Sequence, residues 1–252
     1  MDRKIYKLPF TATSINRYQC PTCNNGVLQI LDGTFFSKET KESLSGHDHP
    51  EFGPEFVEYI YSCIFQCSNT TCKEVVSSSG KGYVEEYNYY NDQGEHERDY
   101  CDYYKPQVFT PHLKVFECPV GTPENAIAEI NASFSLLLID PPSSANHIRI
   151  AIEHLLTHLG IKEFDIKEGK NIFIPLHKRI NLLPTKYDSI KDIFIAVKWL
   201  GNAGSHSSHK VTYDDVMDSY ELTLELLDEI FSTKRLNAKS LAQKINVNKG
   251  PK

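Results

Sequence analysis

Residues Tyr187–His209 read YDSIKDIFIAVKWLGNAGSHSSH, an apolar helical run that breaks into a glycine-rich polar turn. Asp188 or Ser189 supplies a capping oxygen at the start. Ile190, Ile193, Phe194, Val197 and Leu200 then recur at steps of three and four, which paints one helix face apolar. Gly201 sits where a left-handed C-cap is wanted, and Gly204 loosens the backbone again. The pattern predicts a rod ending in a tight bend that presents Asn202 and His206, with Lys198 one turn earlier and directed to the same region. A cation, an amide and an imidazole so gathered suit a phosphate. The same residues also satisfy a plain helix end followed by a solvated loop histidine, because turn chemistry favours Gly and Asn here.

Helical periodicity extends on both sides of this stretch. Thr122-Pro123-Glu124 places a capping hydroxyl before a first-turn proline, and Ile127, Ile130, Phe134, Leu137 and Leu138 follow at helical spacing up to Asp140-Pro141-Pro142. Ser143 or Ser144 caps a second helix over 146–159 with Ile148, Ala151, Ile152, Leu155 and Leu159 inward, closed by Gly160. Asn146, Arg149 and Glu153 align on one side of it, and the spacing of Arg149 and Glu153 suits an intrahelical ion pair. A shorter helix over 176–180 stops at Pro184. Thr212 with Asp215 resembles a capping box for a last helix with Val216, Tyr220, Leu224, Leu227, Ile230 and Phe231 inward. Short connections imply an antiparallel bundle over 122–232. From residue 233 to 252 come Lys234, Arg235, Lys239, Lys244, Lys249 and Lys252 with no acid, which reads as a basic, flexible tail with weak nucleic-acid contact as a secondary role.

The front half carries a different signature. Cys20-Pro21-Thr22-Cys23, followed by Asn24, Asn25 and Gly26, has the form of a metal knuckle, and Cys67-Ser68-Asn69-Thr70-Thr71-Cys72 offers a second cysteine pair in a polar turn. Four thiolates close the tetrahedral shell of a structural zinc ion. Cys63 is a rival ligand, although its place on an alternating strand face suits a small core residue. His47 and His49 are further rivals in a proline-bounded loop, and Cys101 and Cys118 stand alone. Val57, Tyr59, Tyr61, Cys63 and Phe65 alternate with their neighbours at a period of two, and residues 27–31 make a partner strand. Gly80-Lys81-Gly82 reads as a turn. Residues 85–104, rich in tyrosine and acid, read as a hairpin about Asn91-Asp92-Gln93-Gly94. Its exposed tyrosines suit a partner surface, whereas its acidity makes it a poor nucleic-acid platform. Pro106, Pro111, Pro119 and Pro123 punctuate an extended linker over 106–121. The resulting expectation is α+β: a small antiparallel β zinc ribbon over 1–105, the linker, and the helical bundle.

In a chain of 252 residues with a net charge of −6, a surface coated wholesale by nucleic acid is disfavoured, while a local basic site is not. No apolar run approaches the ~20 residues that span a bilayer. The first twenty residues lack the apolar core of a secretory signal. The seven cysteines are accordingly expected in a reducing, cytoplasmic setting, where metal binding outranks disulfides.

Ala145–Glu153, Leu176–Ile180 and above all Lys198–His206 give the run from Tyr104 to Phe231 a resemblance to the bacterial family known as domain of unknown function 4145. The cysteine knuckles look like the zinc-ribbon preface of some of its members. The resemblance implies a HEPN-like helical domain (higher eukaryotes and prokaryotes nucleotide-binding), a group that recurs in restriction, toxin–antitoxin and other phage-defence systems. Active HEPN ribonucleases resemble one another in an arginine, a polar residue, three more residues and a histidine. Asn202 and His206 match the last two positions, while Gly201 stands in the arginine's place. A base near the ribose hydroxyl and a cation on the phosphate are what such cleavage needs. His206 would be the base and Lys198 or Arg149 the cation, and lysine lacks arginine's planar fork. The expected function is therefore a non-catalytic interaction or regulatory protein. Arg149, Lys198, Asn202 and His206 would bind a nucleotide, RNA, a protein partner or a second copy. The alternative is a metal-independent endoribonuclease.

Overall fold

A computed structural model of the chain describes residues 2–205, 210–231, 242 and 245–247. The chain folds as two compact units, residues 2–114 and the residues from 115 onward. His206 and nearly all of the basic segment 233–252 lie outside the described residues.

The first unit is built on one antiparallel sheet. Strands β1 (Leu28–Ile30) and β2 (Phe36–Glu39) both pair with β3 (Glu58–Cys67), and a short helix α1 (Lys41–Gly46) follows β2. Strand β3 then pairs with β4 (Val75–Tyr90), and β4 with β5 (His96–Thr110). The alternation in β3 sends Tyr61, Cys63, Phe65 and Cys67 to the buried face. Rings supply the core there. Phe10, Phe35, Tyr61 and Tyr104 meet largely edge-on at centroid distances of 4.8–6.4 Å, with Phe35 stacked on Tyr61. Buried hydroxyls are satisfied, Tyr61 by Ser78 at 3.0 Å and Tyr104 by Ser37 at 3.1 Å.

Three expectations for this unit change. Gly80-Lys81-Gly82 is not a turn but the middle of β4. A Cβ on Gly80 would overlap the Lys105 carbonyl, and one on Gly82 would lie 2.6 Å from the Tyr104 ring, so both glycines admit close approach inside the sheet. The sheet is consequently far longer than a small ribbon. Nor is 106–121 a separate linker. Residues 106–110 continue β5, with Pro106 opposite Gly80 beside a register shift, where the ladder tolerates a missing N–H. Val115, Phe116 and Cys118 pack on the helical core, with the Phe116 ring 5.0 Å from that of Phe134. The hairpin over 85–104 is present as the far end of β4 and β5, turning at Asn91–Gly94 with Gly94 at φ +77.

The second unit comprises α2 (Glu124–Leu136), α3 (Pro141–His158), a hairpin of β6 (Phe164–Lys167) and β7 (Lys170–Phe173), α4 (Leu176–Asn181), α5 (Asp188–Ser205) and α6 (Tyr213–Phe231). Helix α3 packs against α2, α5 and α6, and α4 against α5. Ile130, Ile148, Ile152, Leu155, Phe194, Val197, Val216 and Leu227 are fully buried between them. One polar knot crosses this core. Ser133, Ser144 and Tyr220, all at 0 % exposure, join α2, α3 and α6 through mutual hydroxyl contacts of 2.8–3.0 Å. Helical periodicity does not predict the hairpin. Its cue is the two-residue turn Glu168-Gly169, at φ +50 and +74, as type I′ geometry requires.

Several helix boundaries also move. Thr122 does not cap α2, because its hydroxyl donates to the Pro119 carbonyl at 2.7 Å. Helix α3 begins at Pro141, capped by Asp140, whose carboxylate accepts from the Ser143 amide at 3.2 Å. Thr212 and Asp215 form the expected box. The Thr212 amide donates to Asp215 at 2.8 Å and the Asp215 amide to the Thr212 hydroxyl at 3.3 Å.

The largest revision falls on Gly201, which does not terminate α5; the helix runs on to Ser205. A Cβ at Gly201 would overlap the Arg149 Cβ and come within 3.0 Å of the Ala145 carbonyl. The glycine is there so that α3 and α5 can touch. Gly201→Ala is expected to lower stability by about 1–3 kcal/mol through overpacking, measured as a fall in the urea midpoint with an unchanged m-value.

Candidate functional site

The four cysteines singled out by spacing converge at one end of the sheet. The Cys20 and Cys72 sulfurs are 3.8 Å apart, those of Cys23 and Cys67 are 3.7 Å apart, and all four lie within 4.8 Å of one another. Each pair is held by a tight turn. The Cys20 amide donates to the Gly26 carbonyl and the Asn24 amide to the Cys20 carbonyl; in the second turn the Cys72 and Lys73 amides both donate to the Asn69 carbonyl. Asn24 and Lys73, each directly after the second cysteine of its pair, take matching φ values of +52, so both knuckles turn the same way.

Electrostatics around the sulfurs are uneven. The Asn25 backbone amide, followed by that of Gly26, helps bring the Cys23 thiol down to about 6, whereas burial pushes Cys67 up to about 12. A cation between them favours the thiolate at every position. Asn69 adds two donors, its amide to Cys67 at 3.4 Å and its side chain to Cys23 at 3.7 Å. Gly26 belongs to the turn of the first knuckle, whereas spacing does not single out Asn69, whose cue is its place in the polar turn between Cys67 and Cys72. The set can hold one metal ion through four sulfurs.

The rival ligands are placed elsewhere. Cys63 is buried on the core face of β3, where burial raises its thiol to about 12. His47 Nε2 pairs with Glu39 at 2.6 Å. His49 lines a cavity of about 620 Å³ beside α1, with Glu42, Glu51, Phe52, Phe56 and Glu58. Among the described residues, the four-cysteine set is the group of His, Cys, Asp and Glu arranged to hold a metal.

On the helical unit, Arg149 lies against Gly201, and its guanidinium is 2.9 Å from Glu153 and 3.3 Å from the Asn146 side chain. The intrahelical ion pair is thus present. Its charges are close without hydrogen-bond geometry at Glu153 Oε1, and that oxygen, Arg149 Nε and Arg179 Nε are buried without a hydrogen-bonded partner. Lys198 is only 7 % exposed, and its ammonium sits 3.5 Å from the centroid of the adjacent Trp199 ring. Lys198 and Asn202 share a face of α5 by their four-residue spacing. The structure therefore brings Arg149 to the α5 segment that carries Gly201, while the Lys198 ammonium is seated on Trp199. Periodicity did not single out Arg179. It is 1 % exposed, donates to the Thr157 hydroxyl at 2.7 Å and the Ile161 carbonyl at 3.0 Å, and has its pKa lowered chiefly by burial. Its cue was an arginine between Leu176 and Ile180, on the apolar stripe of α4.

Fold and site together define an α+β chain with a four-cysteine cluster on an antiparallel sheet and a second, helical unit. Residues 131–248 match the family described as Domain of unknown function (DUF4145), and residues 8–109 match Domain of unknown function (DUF8608). The resemblance read from Ala145–Glu153, Leu176–Ile180 and Lys198–His206 is thus supported for the helical unit, and the sheet unit is similar to a different family. Neither a curated protein nor a solved structure matches the chain. Among the described residues no helix is long and apolar enough to cross a membrane.

A Cβ at Gly26 would overlap the Cys67 sulfur and lie 3.0 Å from the Asn69 amide nitrogen. Gly26→Ala is accordingly expected to displace a ligand and lower the metal retained through gel filtration several-fold, measured by plasma emission. An unchanged metal content would remove the cysteine cluster from consideration as the centre.

Proposed function

We propose that this is a non-catalytic binding or regulatory protein in which a structural zinc ion, held by Cys20, Cys23, Cys67 and Cys72, secures the sheet unit. The helical unit then engages a nucleotide, RNA or protein partner through the face bearing Arg149, Lys198 and Asn202. The observation that carries the zinc assignment is the sulfur geometry. Zinc–thiolate bonds of about 2.3 Å arranged tetrahedrally put sulfurs about 3.8 Å apart, against 3.8 and 3.7 Å for the two close pairs. An all-sulfur shell with no open position suits structure rather than catalysis. Zinc here supplies cross-linking charge; the chain's part is to aim the sulfurs and donate to them from Asn69.

The non-catalytic reading is supported by Gly201. Where the resembling ribonucleases carry arginine, this chain needs a residue without a Cβ to let α3 approach. Arg149, a replacement cation, already faces Glu153. A zinc-bearing unit beside a HEPN-like helical domain fits a cytoplasmic role in a prokaryotic defence or toxin–antitoxin system.

Purified protein is expected to contain one zinc per chain, and Cys23→Ser/Cys72→Ser to contain none and to melt at lower temperature. Because each ligand must shed its proton to bind, retention should fall as pH falls and recover as it rises; pH-independent retention would contradict thiolate ligation. RNA incubated with the wild-type protein should stay intact with and without chelator. Cleavage that disappears in His206→Ala would establish the endoribonuclease instead.

A further inference from the structure

The face of the sheet opposite the aromatic core is open, and cross-strand register sorts its side chains into rows. Phe36, Ser62, Ser79 and Val108 form one row across β2–β5, and Lys38, Ile60, Lys81 and Lys105 form the next. Beyond the lysines, Tyr83 and Tyr103 stand side by side, stacked at 5.9 Å and 27°, with the Lys105 ammonium 4.8 Å from the centroid of the Tyr83 ring. On the other side of the Phe36 row, Ile64, Ser77 and Thr110 line a cleft of about 300 Å³ together with Thr34 and Ser62.

The lysine and Phe36 rows are presented to solvent, and Tyr83 and Tyr103 are half-buried. Phe36 is 62 % exposed and Ile60 52 %, and all three lysines are exposed with no salt bridge among the described residues. By register Glu58 shares the row of Tyr83 and Tyr103, and Glu85 follows opposite Cys101 where the acidic hairpin begins, whereas the lysine row itself holds no carboxylate. We propose that this sheet face binds single-stranded nucleic acid, with Lys38, Lys81 and Lys105 on phosphates and Phe36, Tyr83 and Tyr103 under bases.

Three features select that occupant. A row of three lysines without a carboxylate partner complements a polyanion, whereas lysine is depleted at the centre of protein–protein interfaces. Flat rings on an antiparallel sheet offer stacking to any unpaired base, which a duplex cannot supply without opening. The intervening serine and threonine hydroxyls serve as donors to phosphate or base edges. From Val75 to Tyr83 the platform runs about 26 Å at ~3.3 Å per residue, long enough for several nucleotides. Every residue of the site belongs to the sheet unit, so the assignment does not depend on the helical-unit reading.

The test is fluorescence anisotropy of labelled oligo(U) and oligo(dT), each about 12 nucleotides and so within the span of a single-domain site, titrated with the full chain over a salt series. Three lysines on a single strand predict a slope of log K against log[salt] near −2. Lys81→Gln/Lys105→Gln should weaken binding and flatten the slope by about 1.4. Phe36→Ala and Tyr103→Ala should each weaken it about tenfold at unchanged slope. Metal content and melting temperature serve as folding controls. Binding of RNA, DNA or both with these dependences supports the assignment. No binding at the lowest salt would overturn it. So would binding that ignores these variants and disappears in Arg149→Ala or Lys198→Ala, which moves the ligand to the helical unit. A dimer broken by Phe36→Ala would equally overturn it by giving the face to a second copy.

Discussion

Sulfurs 52 and 44 residues apart in the chain meet at contact distance, and the organisation of the sheet unit follows from that closure. The first knuckle leads into β1, whose Leu28 pairs with Cys67 at the end of β3, so the ligands and the sheet register specify one another. Ordering two turns and the chain between them costs conformational entropy that the short β1–β3 and β2–β3 pairings barely offset. In the proposed zinc-bound form, metal binding supplies on the order of 10 kcal/mol. The aromatic cluster then has a fixed strand order to fill. Its rings cover one face only, and the opposite face is left to lysines, hydroxyls, Phe36 and the stacked pair Tyr83 and Tyr103.

The helical unit is governed by a different constraint, the close approach of α3 and α5. Gly201 permits it, and Arg149 occupies the space released, with its aliphatic stem under α5 and its guanidinium beside Glu153. Arg179 brings a second guanidinium into the protein interior on α4. Such groups lower stability relative to apolar side chains unless fully bonded. Buried nitrogens without a hydrogen-bonded partner on both arginines therefore make this the place where the helical unit departs from simple packing.

Much of this was legible from residue order. The two cysteine pairs, the alternation in β3, the hairpin about Asn91–Gly94 and the Thr212–Asp215 box are local signals, read from neighbours a few residues apart, and each appears at its expected place. Gly80, Gly82 and Gly201 mislead for a common reason. A glycine looks like a turn from sequence because its freedom is a property of one residue. Here the cause is an atom of another segment, the Lys105 carbonyl, the Tyr104 ring or the Arg149 stem. The linker misleads similarly, since Pro106 resists helix but not an edge strand beside a register shift.

Sequence by itself determined the class of each half, the identity of the four sulfurs and the presence of an ion pair on α3, because spacing along a helix, strand or knuckle converts directly into geometry. Tertiary structure alone decided which glycines are spacers and which groups Arg179 donates to, Thr157 and Ile161. It also placed Lys38, Lys81 and Lys105 in one row. Those lysines come from three strands at separations no period connects, and only the register of hydrogen bonds between β2, β3, β4 and β5 brings them side by side.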